Sequence, residues 1–162
     1  MSVRATLNQY LTVLETLEAS VAAAGTPTVT HAAFNRNVNL NATSTPPATK
    51  VVAISGNLTA GAATIDLTAL TGTNGASVTF SGLRVQAMYF QNRSSSNAMT
   101  VKDGASNGYL IFGDSSGQIT VGPGGSNLHY TADYPSDVSG SVKNIDLTGT
   151  GTDAYYMLLV AG

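Results

Sequence analysis

Along most of the chain hydrophobic and polar residues alternate with a period of two, and Gly, Asn, Ser or Asp clusters separate the short runs. That pattern predicts strands joined by turns. Residues 34–41, Phe-Asn-Arg-Asn-Val-Asn-Leu-Asn, put Asn35, Asn37, Asn39 and Asn41 on one strand face. The pair Pro46-Pro47 then interrupts any sheet. Further strands are expected at 51–55, 63–67, 77–80, 84–92, 99–102, 109–112, 118–121, 128–131, 142–147 and 154–160. The longest, 84–92, is expected inside a sheet. The nearly continuous apolar run Tyr155-Tyr156-Met157-Leu158-Leu159-Val160 is expected to be central, buried on both faces or in an oligomer contact. Ile-Asp-Leu-Thr occurs at 65–68 and again at 145–148, and nothing around the copies extends the match, so it reads as shared strand chemistry and not a duplication.

The first 25 residues follow another rhythm. Val3, Leu7, Tyr10, Leu14, Leu17, Val21 and Ala24 are spaced alternately by four and three, the a/d pattern of a helical seam. Ser2 caps the start of the predicted helix, and Gly25 followed by Pro27 supplies a stop. Its apolar stripe has three uses: packing on the protein's own sheet, self-association, or docking onto a partner. The fold class expected is mainly β, an antiparallel β-sandwich or jelly-roll-like domain preceded by one N-terminal amphipathic α-helix. The organisation expected is a helix over 1–26, a linker with one strand over 27–49, and the sandwich over 50–162. Val3, Leu7, Tyr10, Leu14, Leu17 and Val21 form the candidate oligomer or anchor seam.

Composition narrows the function. Of 162 residues, 21 are Thr, 16 Ser, 12 Asn and 17 Gly, against 7 Asp, 2 Glu, 3 Lys and 4 Arg, with a net charge of −2. So few basic residues leave nucleic-acid binding without an electrostatic footprint. A hydrophobic share of 43% argues against disorder. Zero Cys excludes a disulfide framework and a thiol-ligated zinc site. No window approaches the about 18 to 20 apolar residues of a membrane span. Polar residues from Asn8 to Glu18 interrupt every candidate signal-peptide core, so cytoplasmic synthesis is expected.

Catalytic chemistry is not legible. His31 and His129 belong to no local motif, and neither a nucleophile elbow nor a paired-histidine zinc motif occurs. The acidic turns at Asp103, Asp114, Asp133 and Asp137 lack the spacing of a calcium loop, and Asx turns account for them. Gly122-Pro123-Gly124-Gly125 has no following Lys or helix and reads as a tight turn, not a phosphate cradle. Asn41, Asn57 and Asn92 each begin a glycosylation acceptor triplet, which here reflects only how common Asn and Thr are. Sugar binding is the one ligand class with footing. Its candidate platforms are Tyr89, Tyr109, Tyr130, Tyr134, Tyr155 and Tyr156. No enzyme activity, cofactor or metal is expected.

A low-charge, Thr/Ser/Asn/Gly-rich β-domain with an N-terminal helix resembles accessory virion structural proteins of tailed bacteriophages. These include capsid decoration or cement subunits and head-fibre or tail-associated β-sandwich modules. The texture is carried by Met88-Tyr89-Phe90-Gln91-Asn92, by Ile119 to Gly125, and by the terminal Leu158-Leu159-Val160-Ala161-Gly162. The resemblance implies a non-enzymatic binding role in the virion. Homo-oligomers, trimers foremost, would attach to major capsid or tail protein subunits, without nucleic acid or membrane as partner. The alternative is a receptor- or glycan-binding module of a fibre or tail tip. Low charge fits either, because it lowers the desolvation cost of burying large surfaces between subunits.

Overall fold

The computed structural model describes residues 3–16, 28–30, 34–131 and 136–162. The chain forms two compact units, Ala5–Asn39 and a larger one of Met1–Arg4 with Leu40–Gly162. The described residues are built from strands and contain no helix.

In the smaller unit β1 (Arg4–Leu11) pairs with β4 (Phe34–Asn41), and β2 (Leu14–Thr16) pairs antiparallel with β3 (Thr28–Thr30). The expected N-terminal helix is therefore corrected over residues 4–16; its continuation, with Leu17 and Val21, lies outside the described residues. A spacing of four satisfies both periods, so Val3 and Leu7 share a helix face and a strand face equally well. The partner decides between them. Val3 and Leu7 are buried, while Thr6 donates its hydroxyl to Asn39 Oδ1 at 3.0 Å and Asn8 Oδ1 accepts from the Asn37 amide. Neighbouring Asn37 and Asn39 are also joined, at 3.0 Å. The alternating asparagines of β4 thus supply a row of neutral hydrogen bonds across the strand pair, which a helix over 4–11 would forgo.

The larger unit carries β5 (Lys50–Asn57), β6 (Ala62–Asp66), the short β7 (Leu70–Thr71) and β8 (Ser77–Val78), β9 (Val85–Asn92), β10 (Met99–Asp103), β11 (Gln118–Val121), β12 (Ser126–Tyr130), β13 (Asn144–Thr148) and β14 (Ala154–Ala161). Eight of these make two four-stranded antiparallel sheets, ordered β12-β9-β14-β5 and β11-β10-β13-β6. Alternate residues of both sheets feed one hydrophobic cluster: Val52, Met88, Phe90, Met157 and Leu159 from the first, Val101, Ile145, Leu147 and Ile65 from the second. The two Ile-Asp-Leu-Thr copies are neighbours, with Ile65 opposite Ile145 in the β6–β13 pair.

Ten of the eleven expected strands coincide with observed ones. Strand β9 lies inside its sheet, and β14 lies between β9 and β5. Burial along β14 alternates over its first half, with Tyr155 and Met157 buried and Tyr156 and Leu158 half-buried, and becomes continuous at its end, where Leu159, Val160 and Ala161 are all buried. The exception is 109–112, which joins no ladder. Its alternation was a true sign of burial, since Tyr109 and Ile111 are both in the core, but its backbone is held otherwise. Asn144 C=O accepts from Tyr109 N–H at 2.8 Å, and Asp103 Oδ1 accepts from Ile111 N–H at 3.0 Å.

Tyr109 ties this segment to the start of β9. Its hydroxyl accepts the Val85 N–H at 2.9 Å, and burial pushes the phenol up to about 12. Tyr109→Phe should therefore leave a buried N–H unpaired and destabilise the fold by about 1–3 kcal/mol, measured by urea denaturation. A loss below the error of that measurement would show that the hydroxyl does not fasten the segment.

Candidate functional site

The two sheets solve their outward faces in opposite ways. On β11-β10-β13-β6 the outward rows are Thr120, Thr100, Thr148 and Ala62, then Gln118, Lys102, Asp146 and Thr64. These side chains satisfy one another: the Thr100 and Thr120 hydroxyls lie 2.8 Å apart, and Thr64 donates to Asp146 at 2.7 Å. On β12-β9-β14-β5 the register aligns Leu128, Tyr89, Leu158 and Ala53 in one outward row and Ser126, Gln91, Tyr156 and Ser55 in the next. A third row holds Tyr130, Ala87, Val160 and Val51, of which Ala87 and Val160 are buried and Val51 is exposed. No carboxylate or lysine occurs in these three rows. One outer face is finished for water and the other is aromatic and aliphatic, the kind of face that marks a contact site.

At its centre Tyr89 and Tyr156 stand edge to face, with ring centroids 6.2 Å apart and an interplanar angle of 60°. The Arg93 guanidinium carbon lies 4.9 Å from the Tyr156 centroid, a cation–π contact, and Arg93 Nε donates to Gln91 Oε1 at 3.3 Å. The backbone holds Arg93 there. Its N–H donates to Ala154 C=O at 2.9 Å, and the preceding Asn92 is fully buried, its amide within 3.1 Å of the carbonyls of Asn97, Val121 and Gly122. Asn92 thereby fastens the end of β9 to the Gly122-Pro123-Gly124-Gly125 turn, where Gly124 has a φ of 67°. A buried Asn92 amide with these partners is no glycosylation acceptor in the folded chain.

Among the six tyrosines expected as platforms, Tyr89 and Tyr156 meet and Tyr130 shares their face, while Tyr109 and Tyr155 are buried in the core and Tyr134 lies outside the described residues. Gln91 and Arg93 were not anticipated. The signal was present in the alternation Tyr89, Gln91, Arg93, which carries the outward face of β9 past the strand end.

A second exposed surface lies on the smaller unit. Tyr10, Leu11, Val13 and Leu14 are 68%, 61%, 44% and 65% exposed, four of the five exposed large hydrophobics among the described residues; the fifth is Val51. Of the expected seam, Tyr10 and Leu14 belong to this strip, Val3 and Leu7 are buried, and Leu17 and Val21 are outside the described residues.

Titratable groups elsewhere serve the fold. His129 Nε2 lies 3.1 Å from Ile111 C=O, which places the ring proton on that nitrogen, and its ring meets Phe112 edge to face at 5.2 Å. Asp103 and His129 thus grip the same residue, Ile111, from opposite backbone groups. Asp114 accepts from the Ser116 N–H and hydroxyl at 2.7 Å, the Asx turn expected of it. Among the described residues no three His, Cys, Asp or Glu converge as metal ligands, and no helix is long and apolar enough to cross a membrane. Compared with known proteins, the chain matches no family model, no curated protein and no solved structure.

Burial pushes the Asp103 carboxyl up from 3.8 to about 6, against the lowering pull of the N–H groups of Ile111 and Phe112. Its Oδ2 has no hydrogen-bond partner. Because folding raises this value, the stabilisation is complete below about pH 4 and is lost as pH rises through about 6, a difference of at most about 3 kcal/mol. Urea denaturation of the native chain should therefore show stability falling between about pH 4 and about pH 7. Asp103→Asn, which keeps an acceptor for Ile111, should flatten that slope; an identical slope in both chains would rule out Asp103 as its source.

Proposed function

We propose that the protein is a non-enzymatic virion structural subunit. In this reading it is a capsid decoration or cement protein, made in the host cytoplasm and attached as a small homo-oligomer, a trimer foremost, to major capsid or tail protein subunits. The observation that carries the proposal is the uncharged strip of Tyr10, Leu11, Val13 and Leu14, which concentrates nearly all the exposed large apolar side chains of the described residues in five positions. Two-stranded ribbons are marginal in water by themselves, so covering this strip stabilises the unit that bears it. The amides and hydroxyls of Asn8, Asn37, Asn39 and Thr6 both donate and accept, so identical copies meet without like-charge repulsion.

The larger unit supports the same reading. Its eight longer strands switch between the two sheets at every step except β10 to β11, the order of a double-sheet jelly roll, an architecture used by viral capsid and lectin domains. Function does not follow from such a fold alone. A second reading, a receptor- or glycan-binding module of a fibre or tail tip, is favoured by the pairing of Tyr89 with Tyr156 on an outward face that lacks carboxylates.

Replacing Leu11 and Leu14 together by Ser in the full chain should lower the oligomer mass measured by light scattering while leaving the melting of the larger unit unchanged. An unchanged mass would remove the strip from the oligomer contact. Antibody to the chain, applied to particles from producing cells and imaged by negative stain, should decorate a regular shell or tube; label confined to particle-free fractions would overturn the virion assignment.

A further inference from the structure

We infer that the outward face around Tyr156 binds a carboxylate-bearing sugar residue of an extended glycan, with Arg93 as the group that recognises the carboxylate. This rests on the second reading above and gives it a ligand class. Three features meet within one row and its neighbour. Tyr89 and Tyr156 present aromatic surface, on which the C–H face of a pyranose can lie. Gln91, Ser126 and Ser55 flank Tyr156 in the same row and offer neutral donors and acceptors to ring hydroxyls. Arg93 stands over the ring with a formal charge that no carboxylate among the described residues pairs with.

The charge is what selects the ligand. Ion pairs among the described residues join Arg84 to Asp137 and Lys143 to Asp66, and among those residues none involves Arg93. Asp153, adjacent to Ala154 whose carbonyl holds the Arg93 backbone, already accepts from Asn97 at 3.0 Å. Among the described residues only Nε of the guanidinium is engaged, by the long bond to Gln91, so the terminal nitrogens can form a bidentate pair with a carboxylate. A neutral sugar would leave this cation unanswered, and a nucleic acid would need a field of cations where this face has one. The Asn92 anchor and the Arg93 N–H hold the backbone in place before any ligand arrives, which lowers the ordering cost of binding.

The test uses the full-length protein on immobilised oligosaccharides containing glucuronate, galacturonate, mannuronate or sialate, each beside its neutral counterpart, with Arg93→Gln as the variant. Acidic glycans should be retained, the neutral ones not. Arg93→Gln should weaken acidic binding at least about tenfold while melting like the parent, because the side chain it alters is exposed. The difference between uronate and sialate probes assigns the source of the carboxylate. Equal retention of neutral and acidic glycans, or binding indifferent to Arg93→Gln, would overturn the carboxylate assignment and leave glycan binding standing. No retention of any probe by the folded parent would overturn both.

Discussion

A strand can turn only alternate side chains to one side, and the larger unit is organised by that constraint. Met88, Phe90, Met157 and Leu159 from one sheet, and Val101, Ile145 and Leu147 from the other, fill one cluster. Intervening residues such as Tyr89, Gln91, Tyr156 and Leu158 are thereby turned to the other side of the sheet. Nothing in the core dictates what those outward residues are. Thr100 bonds Thr120 and Thr64 bonds Asp146 on the outward face of β11-β10-β13-β6, whereas Tyr89, Tyr156 and Leu158 on β9 and β14 turn aromatic and aliphatic surface outward. The contrast between two faces built on the same core is what singles out the aromatic one as a candidate contact surface.

Strand positions were readable in the sequence because period-two alternation is a local signal, and turn residues punctuate it. Register was not, because pairing partners lie far apart: Ile65 meets Ile145 and Tyr156 meets Gln91 through contacts that no short window contains. The tyrosines show the consequence. Tyr155 and Tyr156 are adjacent in sequence, yet one is buried in the core and the other is half-exposed beside Tyr89, a difference fixed by which parity of β14 faces inward. Residues 4–11 show the reverse ambiguity, where a spacing of four fits two periods and only the asparagines of β4, some thirty positions on, decide it. Segment 109–112 failed for a third reason. Its backbone is held by the Asp103 carboxylate, the Asn144 carbonyl and the His129 ring in place of a strand.

Buried polar groups hold together what the strands do not. Asn92, at the end of β9, gathers three carbonyls from two loops, and its Oδ1 accepts from the Ser94 N–H at 2.9 Å, so one side chain fixes both the β11–β12 turn and the approach to Arg93. Such a network is worth having only when fully satisfied, because each unpaired member in a low-dielectric interior costs as much as a bond gains. Asp103 marks the other limit. One of its oxygens holds Ile111 and the other has no partner, and the fold answers by shifting the proton equilibrium of the carboxyl and not by adding a donor.

Scarcity of charge acquires a different meaning once each charge has a place. Arg84 pairs with Asp137, Lys143 with Asp66, and Lys102 stands opposite Asp146 in the β10–β13 register, all away from the aromatic face. A chain with few ions that spends them on local pairs leaves its outward apolar face nearly uncharged, which lowers the cost of covering it. In that setting one guanidinium seated on Tyr156, in no ion pair among the described residues, carries more selectivity than it would among many, because no lysine in the neighbouring rows competes for an anion. A composition this poor in cations therefore makes a single arginine informative.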